Sequence, residues 1–345
     1  MRILVTGGAG YVGSVLVPKL LERGHRVRVL DRMFWGLPHY AGHPNVELVN
    51  ADVRRLPEGV LDGVDAIDHL AGFSNDPTAE YSPDANWQMN AIATETLAKL
   101  AKEAGIRRFV FGSSCSLYDG ICDDGRILDE TAAIQPRGAY ATSKRYGEER
   151  LLELADDRFE PVILRQATVF GPSERMRFDL VVNSFVKDAL VRGKLILHGG
   201  GYMWRPLVGI DDLAEAHIAC LEAPSELVRG EIFNVVQDNY RIRDLAQTVA
   251  AALERLGRPV GIENGPLPRI VRNYRCSGEK LRRRLGVEFR TTAADAVEQL
   301  VARFGDWPPE AFGHPKFYNI TWMELLESIR PAYQATHHIF EPLEE

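Results

Sequence analysis

The sequence predicts an α/β fold, a doubly wound parallel sheet with a smaller C-terminal α/β lobe, from three observations. Short apolar runs alternate with amphipathic helical stretches from residue 1 to about 170. A glycine-rich turn separates the first apolar run from the first helical one. After Gly171-Pro172 the alternation loosens into helices divided by short strands and Gly or Pro turns.

The elements follow in order. Ile3-Leu4-Val5 fills a buried strand at 2–6, and Val12 to Glu22 carries apolar residues at helical spacing. His25 to Leu30 alternates polar and apolar, which predicts a partly exposed strand at 26–30 closed by Asp31. Further strands are expected at 46–49, 65–70, 108–112 and 161–165, with helices over Ala85 to Ala104 and Tyr140 to Leu154. Pro77 and Pro83 predict a loop ahead of Ala85. Beyond residue 171, helices are expected near 178–192, 211–222, 241–255 and 291–304. The expected division is 1–170 for the sheet domain, 171–305 for a second lobe that returns some strands to the main sheet, and 306–345 for a docked tail.

The net charge of −7, with both signs interspersed, leaves no basic stripe, so nucleic acid is not an expected partner. No apolar stretch approaches a membrane span, and the N-terminus has no signal-peptide profile, so a cytoplasmic protein without a membrane partner is expected. Cys115, Cys122, Cys220 and Cys276 show no metal spacing, and the adjacent His337-His338 reads as solvated tail, so no metal is expected.

Thr6-Gly7-Gly8-Ala9-Gly10-Tyr11-Val12-Gly13 fits a dinucleotide-binding turn in two registers, Gly8-x-Gly10-x-x-Gly13 and Gly7-x-x-Gly10-x-x-Gly13. Such a turn also joins strands to helices with no ligand present; the strand before and the helix after favour the binding role. Asp31 stands near the position where a carboxylate meets the adenosine ribose, although a cap or turn role is the alternative. A carboxylate there repels a 2′-phosphate and favours NAD over NADP, while the neighbouring Arg32 acts in the opposite sense. Ligands of open parallel sheets lie beyond the carboxyl ends of the strands, where Asp52-Val53, Leu70-Ala71-Gly72 and Ser113-Ser114 fall. Tyr140 and Lys144, four apart, share a helix face, so an ammonium can lower the phenol from its usual value near 10 and make it a base. A surface pair is the ordinary reading of that spacing in isolation.

Together these residues resemble the extended short-chain dehydrogenase/reductase superfamily, and within it the NAD-dependent nucleotide-sugar epimerase/dehydratase group. The resemblance runs from Gly7 to about Gly286, through Thr6 to Gly13, Asp68 to Gly72, Asn90, Phe109 to Tyr118, Tyr140 to Lys144, Leu164-Arg165, Val169 to Pro172, and Arg205 to Val208 ahead of Asp211-Asp212. It implies a Rossmann-type sheet and a catalytic set of Ser114, Tyr140 and Lys144. It implies NAD held by Gly7, Gly10, Tyr11, Val12 and Gly13 at the diphosphate, Asp31 and Arg32 at the ribose, and Asp52-Val53 at the adenine. Leu70, Ala71 and Gly72 would lie against the cofactor, Asn90 near the nicotinamide, and Lys144 on its ribose. It also implies a nucleotide diphosphate sugar as partner, with Arg205 and Arg272 or Arg275 on the diphosphate and Ser74, Asn75, Ser114 and Thr168 facing the sugar. A homodimer through the helices at 85–104 and 140–154 is the usual assembly of the superfamily.

Dehydratases of the resembled group carry an Asp-Glu pair after the catalytic hydroxyl residue. Cys115-Ser116 stands there in this chain, which disfavours 4,6-dehydration. The expected activity is epimerisation at C4 through a keto sugar, with ketoreduction of a 4-keto-6-deoxy nucleotide sugar as the alternative. A non-catalytic NAD sensor would have no use for the Tyr-Lys pair. Thr168 in place of the Asn of many 4-epimerases, and Asp119 in place of Gly, leave the sugar open. Cys115 is expected to be a packing residue.

Overall fold

The computed structural model describes residues 1–120, 126–266 and 272–336, so Cys122 and the His337-His338 pair lie outside the described residues. Seven parallel strands form the main sheet: β1 (Arg2–Thr6), β2 (Arg26–Asp31), β3 (Val46–Asn50), β4 (Ala66–His69), β5 (Arg108–Ser114), β6 (Glu160–Gln166) and β7 (Ile232–Val235). Their spatial order is β7-β6-β5-β4-β1-β2-β3. The chain winds outward from β1 to β3, then crosses back to β4 and winds the other way. This places a topological switch point between the carboxyl ends of β1 and β4, where ligands of such sheets bind.

Side chains alternate across the strands and feed two cores. Ile3 and Val5 pack with Leu16 and Val17 of the helix Gly13–Glu22 and with Leu213 of the helix Ile210–Glu222. Leu4, Ile67, Phe109 and Phe111 pack on the other face with Leu97 of the helix Ala93–Glu103 and Leu151 of the helix Gly138–Leu154. Each such fully buried aliphatic side chain stabilises the fold by roughly 1.5–3 kcal/mol. A third core lies beyond the main sheet, around Phe170, Phe178, Leu207, Leu245 and Leu300. Here Trp204–Gly209 pairs in parallel with Thr168–Phe170 and antiparallel with Asp238–Arg241.

Three expectations need correction. β2 is not partly exposed: it lies between β1 and β3, and Arg28 is buried because its Nη1 donates to the Val60 carbonyl at 2.7 Å while its Nε pairs with Glu47 at 2.8 Å. The segment with Pro77 and Pro83 is not a loop but two short helices, Asp76–Tyr81 and Pro83–Trp87. Each proline sits in a first turn, where its missing N–H has no helical partner to lose. The single helix expected over Ala85 to Ala104 is interrupted by a π turn at Gln88–Ile92 that contains Asn90.

The tail folds back on the body. Phe312 and Phe317 pack against Phe178 with centroids at 5.1 and 5.2 Å, and the helix Asn319–Thr336 then starts beside the main cleft. Trp322 Nε1 from that helix donates to the Phe34 carbonyl at 2.7 Å.

Candidate active site

A cleft of about 350 Å³ opens at the switch point, bounded by the glycine turn, the ends of β2, β4 and β5, the segment after Phe170, and the start of the C-terminal helix. That is the size of a ligand pocket. Among the described residues six cations line it, Lys144 with Arg32, Arg175, Arg177, Arg205 and Arg272, against two carboxylates, Asp31 and Asp76. A chain of net charge −7 therefore turns a positive cavity toward its ligand, which suits a polyanion.

The glycine turn is close-fitted to the backbone around it. Gly7 has φ 74°, its N–H donates to the Leu30 carbonyl at 2.9 Å, and a Cβ there would stand 2.7 Å from the Ala71 nitrogen. A Cβ on Gly13 would meet the Gly8 carbonyl oxygen at 2.4 Å. Only glycine brings this turn against β4 and opens the helix Gly13–Glu22 toward the cleft, with no acidic side chain in its first turn to oppose an anion. Asp31 closes the turn: its carboxylate accepts the Ala9 N–H at 3.0 Å and the Met33 N–H at 2.7 Å. Burial raises the Asp31 carboxyl above its ordinary value, and these backbone bonds oppose the rise. Gly7, Gly10, Tyr11, Val12, Gly13, Asp31, Arg32, Val53, Leu70, Ala71 and Gly72 all line the cleft. The residues present thus fit a dinucleotide, with a glycine cradle and helix N-terminus for the diphosphate and a carboxylate for the ribose.

Two candidates lie off the wall. The Asp52 carboxylate is engaged by Arg54, at 2.6 Å, and by Arg32, at 3.1 Å, and the hydrogen bonds from Arg54 hold it down to about 2. Ala51 and Val53 on either side of it face the cleft instead. Asn90 is fully buried beneath the cleft. Its Oδ1 accepts the Phe73 N–H at 2.8 Å and its Nδ2 donates to the Phe73 carbonyl at 3.0 Å, which clamps the wall that follows β4.

Ser114, Tyr140 and Lys144 meet where β5 ends and the helix Gly138–Leu154 begins. Ser114 Oγ accepts the Ser116 N–H at 3.1 Å, and its hydroxyl acts on Tyr140 to lower the phenol. Lys144 Nζ donates to the Gly112 carbonyl at 2.8 Å and lies 4.8 Å from the Phe111 ring centroid. Burial pulls Lys144 down to about 8, opposed by Glu148 one turn along. Tyr140 differs from expectation. Burial first, and the Asp76 carboxylate second, push it up to about 12, against lowering by Ser114, Arg272 and Arg177. The helical spacing does place Lys144 on the right face, but its ammonium is turned to Gly112 and desolvation dominates the phenol.

At the far end, Ser74 Oγ accepts from Arg177 Nη1 at 3.0 Å and from Asn319 Nδ2 at 2.9 Å. Asn75 spends its Oδ1 capping the helix Asp76–Tyr81 by accepting the Thr78 N–H at 3.0 Å. Thr168, Arg205 and Arg272 line the cleft, and Arg272 forms an ion pair with Asp76. Arg275 lies off the cleft, over the Trp204 ring. Ser116 lines the cleft with a buried hydroxyl that has no hydrogen-bond partner among the described residues. Cys115 is buried, its thiol donating to the Arg165 carbonyl at 3.1 Å. The sequence reading missed Asp76, Arg175, Arg177 and Trp35, which lie in loops or short elements without motif or periodicity, and Asn319, which opens the C-terminal helix.

The sequence profile of the NAD dependent epimerase/dehydratase family matches residues 3–235. UDP-glucuronic acid decarboxylase 1 of Xenopus tropicalis is 32% identical over 260 residues, 71% of this chain and 60% of that protein. The chain thus spans about 60% of the length of this relative. A putative UDP-glucose 4-epimerase of Methanocaldococcus jannaschii is 29% identical over 256 residues, 70% of this chain and 83% of the other. The solved structure of a dTDP-glucose 4,6-dehydratase from Streptomyces venezuelae, with NAD bound, superposes with a TM-score of 0.76 at 25% identity, covering 89% of this chain and 98% of that one. Glycine turn, Rossmann-type sheet and sequence match agree: this chain belongs to the NAD-dependent epimerase/dehydratase family, whose members act on nucleotide sugars as epimerases, dehydratases and decarboxylases.

Proposed function

We propose that this chain is an NAD-dependent nucleotide-sugar epimerase that inverts C4 through a transient keto sugar. One observation carries the reading: Ser114, Tyr140 and Lys144 share the cleft with the neutral hydroxyl of Ser116, at a position where the dehydratases keep an acid. Oxidation at a carbinol needs the first three; elimination of water needs the missing fourth.

When bound, NAD would supply the two-electron acceptor for the hydride of the sugar carbon. The glycine turn and its helix would hold the diphosphate, Asp31 the adenosine ribose, and Lys144 the nicotinamide ribose. Tyr140 Oη, beside the Ser114 hydroxyl that lowers it, takes the proton of the C4 hydroxyl and later returns it. At its value of about 12 the free phenol is protonated at neutral pH, so the base role needs positive charge beyond Arg272 and Arg177. The Lys144 ammonium would supply it once swung from the Gly112 carbonyl toward the phenol. Arg205 and Arg272 receive the diphosphate of the sugar nucleotide as fork-shaped donors. Ser74, Asn75 and Thr168 face the sugar, and two copies of the chain pair through the helical segments 85–104 and 140–154.

Proton NMR of purified protein with UDP-glucose or UDP-glucuronic acid, without added cofactor, tests the reading. A mixture of the C4 epimers supports it. Release of carbon dioxide, a 4-keto-6-deoxy product, or dependence on added reduced cofactor with a keto sugar would overturn it in favour of decarboxylase, dehydratase or ketoreductase chemistry.

A further inference from the structure

Gln166 ends β6, where strand pairing sets it opposite Ser114, and it lines the cleft partly exposed. Beneath it lie Asp68 of β4 and His217 of the helix Ile210–Glu222, both 0% exposed. His217 Nδ1 is 2.9 Å from Asp68 Oδ2 and 3.1 Å from Oδ1, and His217 Nε2 is 3.0 Å from Gln166 Nε2. A carboxylate and an imidazole are costly to bury even as a pair. Among the described residues, the side chain that links this pair to the cleft is Gln166.

The order of donors decides which end of that amide points away from His217. A carboxylate accepts and does not donate, so the neutral ring carries its proton on Nδ1 and leaves Nε2 as an acceptor. The amide NH2 of Gln166 donates to it. With the amide turned over, two acceptors would face each other. Oε1, on the other arm of the planar amide, is therefore directed away from His217, and among the described residues no protein donor reaches it. Gly112 makes room for this pose, since a Cβ there would stand 2.8 Å from Gln166 Nε2. The Gly112 carbonyl also holds Lys144, and Ser114 is the strand partner of Gln166. The amide thus sits at the end of the cleft where Ser114 and Lys144 meet.

We propose that Gln166 Oε1 accepts the carboxamide N–H of the nicotinamide, and that Asp68 and His217 are positioning residues that keep this oxygen, and not the amide NH2, turned to the ring. The proposal rests on the cofactor reading above. An acceptor at this place favours a ring substituent that donates, a carboxamide, and opposes one that only accepts, a carboxylate. Holding the carboxamide in one orientation also keeps one face of the ring toward the sugar carbon, which suits a reaction that returns the hydride it removed.

The test compares three ligands on the full chain: NAD, nicotinic acid adenine dinucleotide, whose ring bears a carboxylate, and ADP-ribose, which has no ring. Wild type should prefer NAD over the carboxylate analogue by about 10-fold or more. Gln166→Leu should weaken NAD by about 10-fold, erase most of that preference and leave ADP-ribose unchanged. Asp68→Asn lets His217 carry its proton on either nitrogen, so the amide is free to turn over, and the preference should fall with ADP-ribose again unchanged. Equal weakening of all three ligands, the signature of a merely structural role, would overturn the proposal, as would an unchanged preference in Gln166→Leu. A preference lost in Gln166→Leu but kept in Asp68→Asn overturns the role of the buried pair. A raised KM for the sugar nucleotide with NAD affinity unchanged would assign the oxygen to a sugar hydroxyl and likewise overturn it. If Asp68→Asn fails to fold, the ¹⁵N shifts of the His217 ring in wild type take its place: a proton on Nδ1 is expected, and one on Nε2 overturns the positioning. Wild type that binds neither NAD nor ADP-ribose would instead sink the cofactor reading on which the proposal stands.

Discussion

Removing the Glu148 charge should cripple the fold beneath the active site. Glu148 and Arg165 are 0% and 2% exposed. Glu148 Oε1 accepts from Ser113 Oγ at 2.6 Å and Arg165 Nε at 2.9 Å, and Oε2 accepts from Arg165 Nη2 at 2.7 Å. Arg165 Nη1 donates to Tyr118 Oη at 2.7 Å, and Tyr118 Oη donates in turn to Asn234 Oδ1 at 2.8 Å. The network joins β5, β6, β7 and the helix that carries Tyr140. In Glu148→Gln one carboxylate oxygen becomes an NH2 group facing a guanidinium, so a buried cation loses its counter-charge and gains a clashing donor. Breaking a buried pair from one side costs about 3–5 kcal/mol, a large share of a typical stability of about 5–15 kcal/mol. Arg165→Met, which strands the carboxylate, should cost about as much. The double variant removes both charges and should recover much of the loss, because no buried charge is left alone. Urea unfolding of the four proteins measures this. Single losses below about 1 kcal/mol, or a double variant equal to the sum of the singles, would refute the reasoning.

Tyr140→Phe should lower the epimerisation rate by at least about 100-fold while NAD content stays at the wild-type level; full turnover in the variant removes Tyr140 from the proton path. Lys144 loses its proton near pH 8 in the folded chain rather than at 10.5, so its ammonium, and any rate depending on it, is present below pH 8 and falls as pH rises through that value. A rate profile flat from pH 7 to 10 contradicts this. The same depression means that the unfolded chain holds this proton over pH 8 to 10.5 while the folded one does not, so this group's contribution makes stability rise with pH across that window. Asp31→Asn puts an NH2 group against the N–H of Ala9 or Met33, costing roughly 1–3 kcal/mol of stability and weakening NAD; calorimetry showing neither effect would discard Asp31 as the pivot of the turn.

The sequence by itself determined the features that rest on local backbone chemistry. Gly7 and Gly13 announce the turn because a Cβ would collide at both places, and apolar periodicity announces the parallel strands because burial on both faces demands it. Tyr140 and Lys144 were legible because four residues make one helical turn, and Ser114 because it follows an apolar strand. Only the tertiary structure decided the rest. Trp35, Arg175 and Asn319 come together from positions far apart in the chain, and no periodicity links them. Asp52 sat at a promising strand end, yet Arg54, two residues away, takes its carboxylate. The sign of the Tyr140 shift depends on desolvation, which grows with how completely the folded protein excludes water from the phenol and has no counterpart in the spacing of Tyr140 and Lys144.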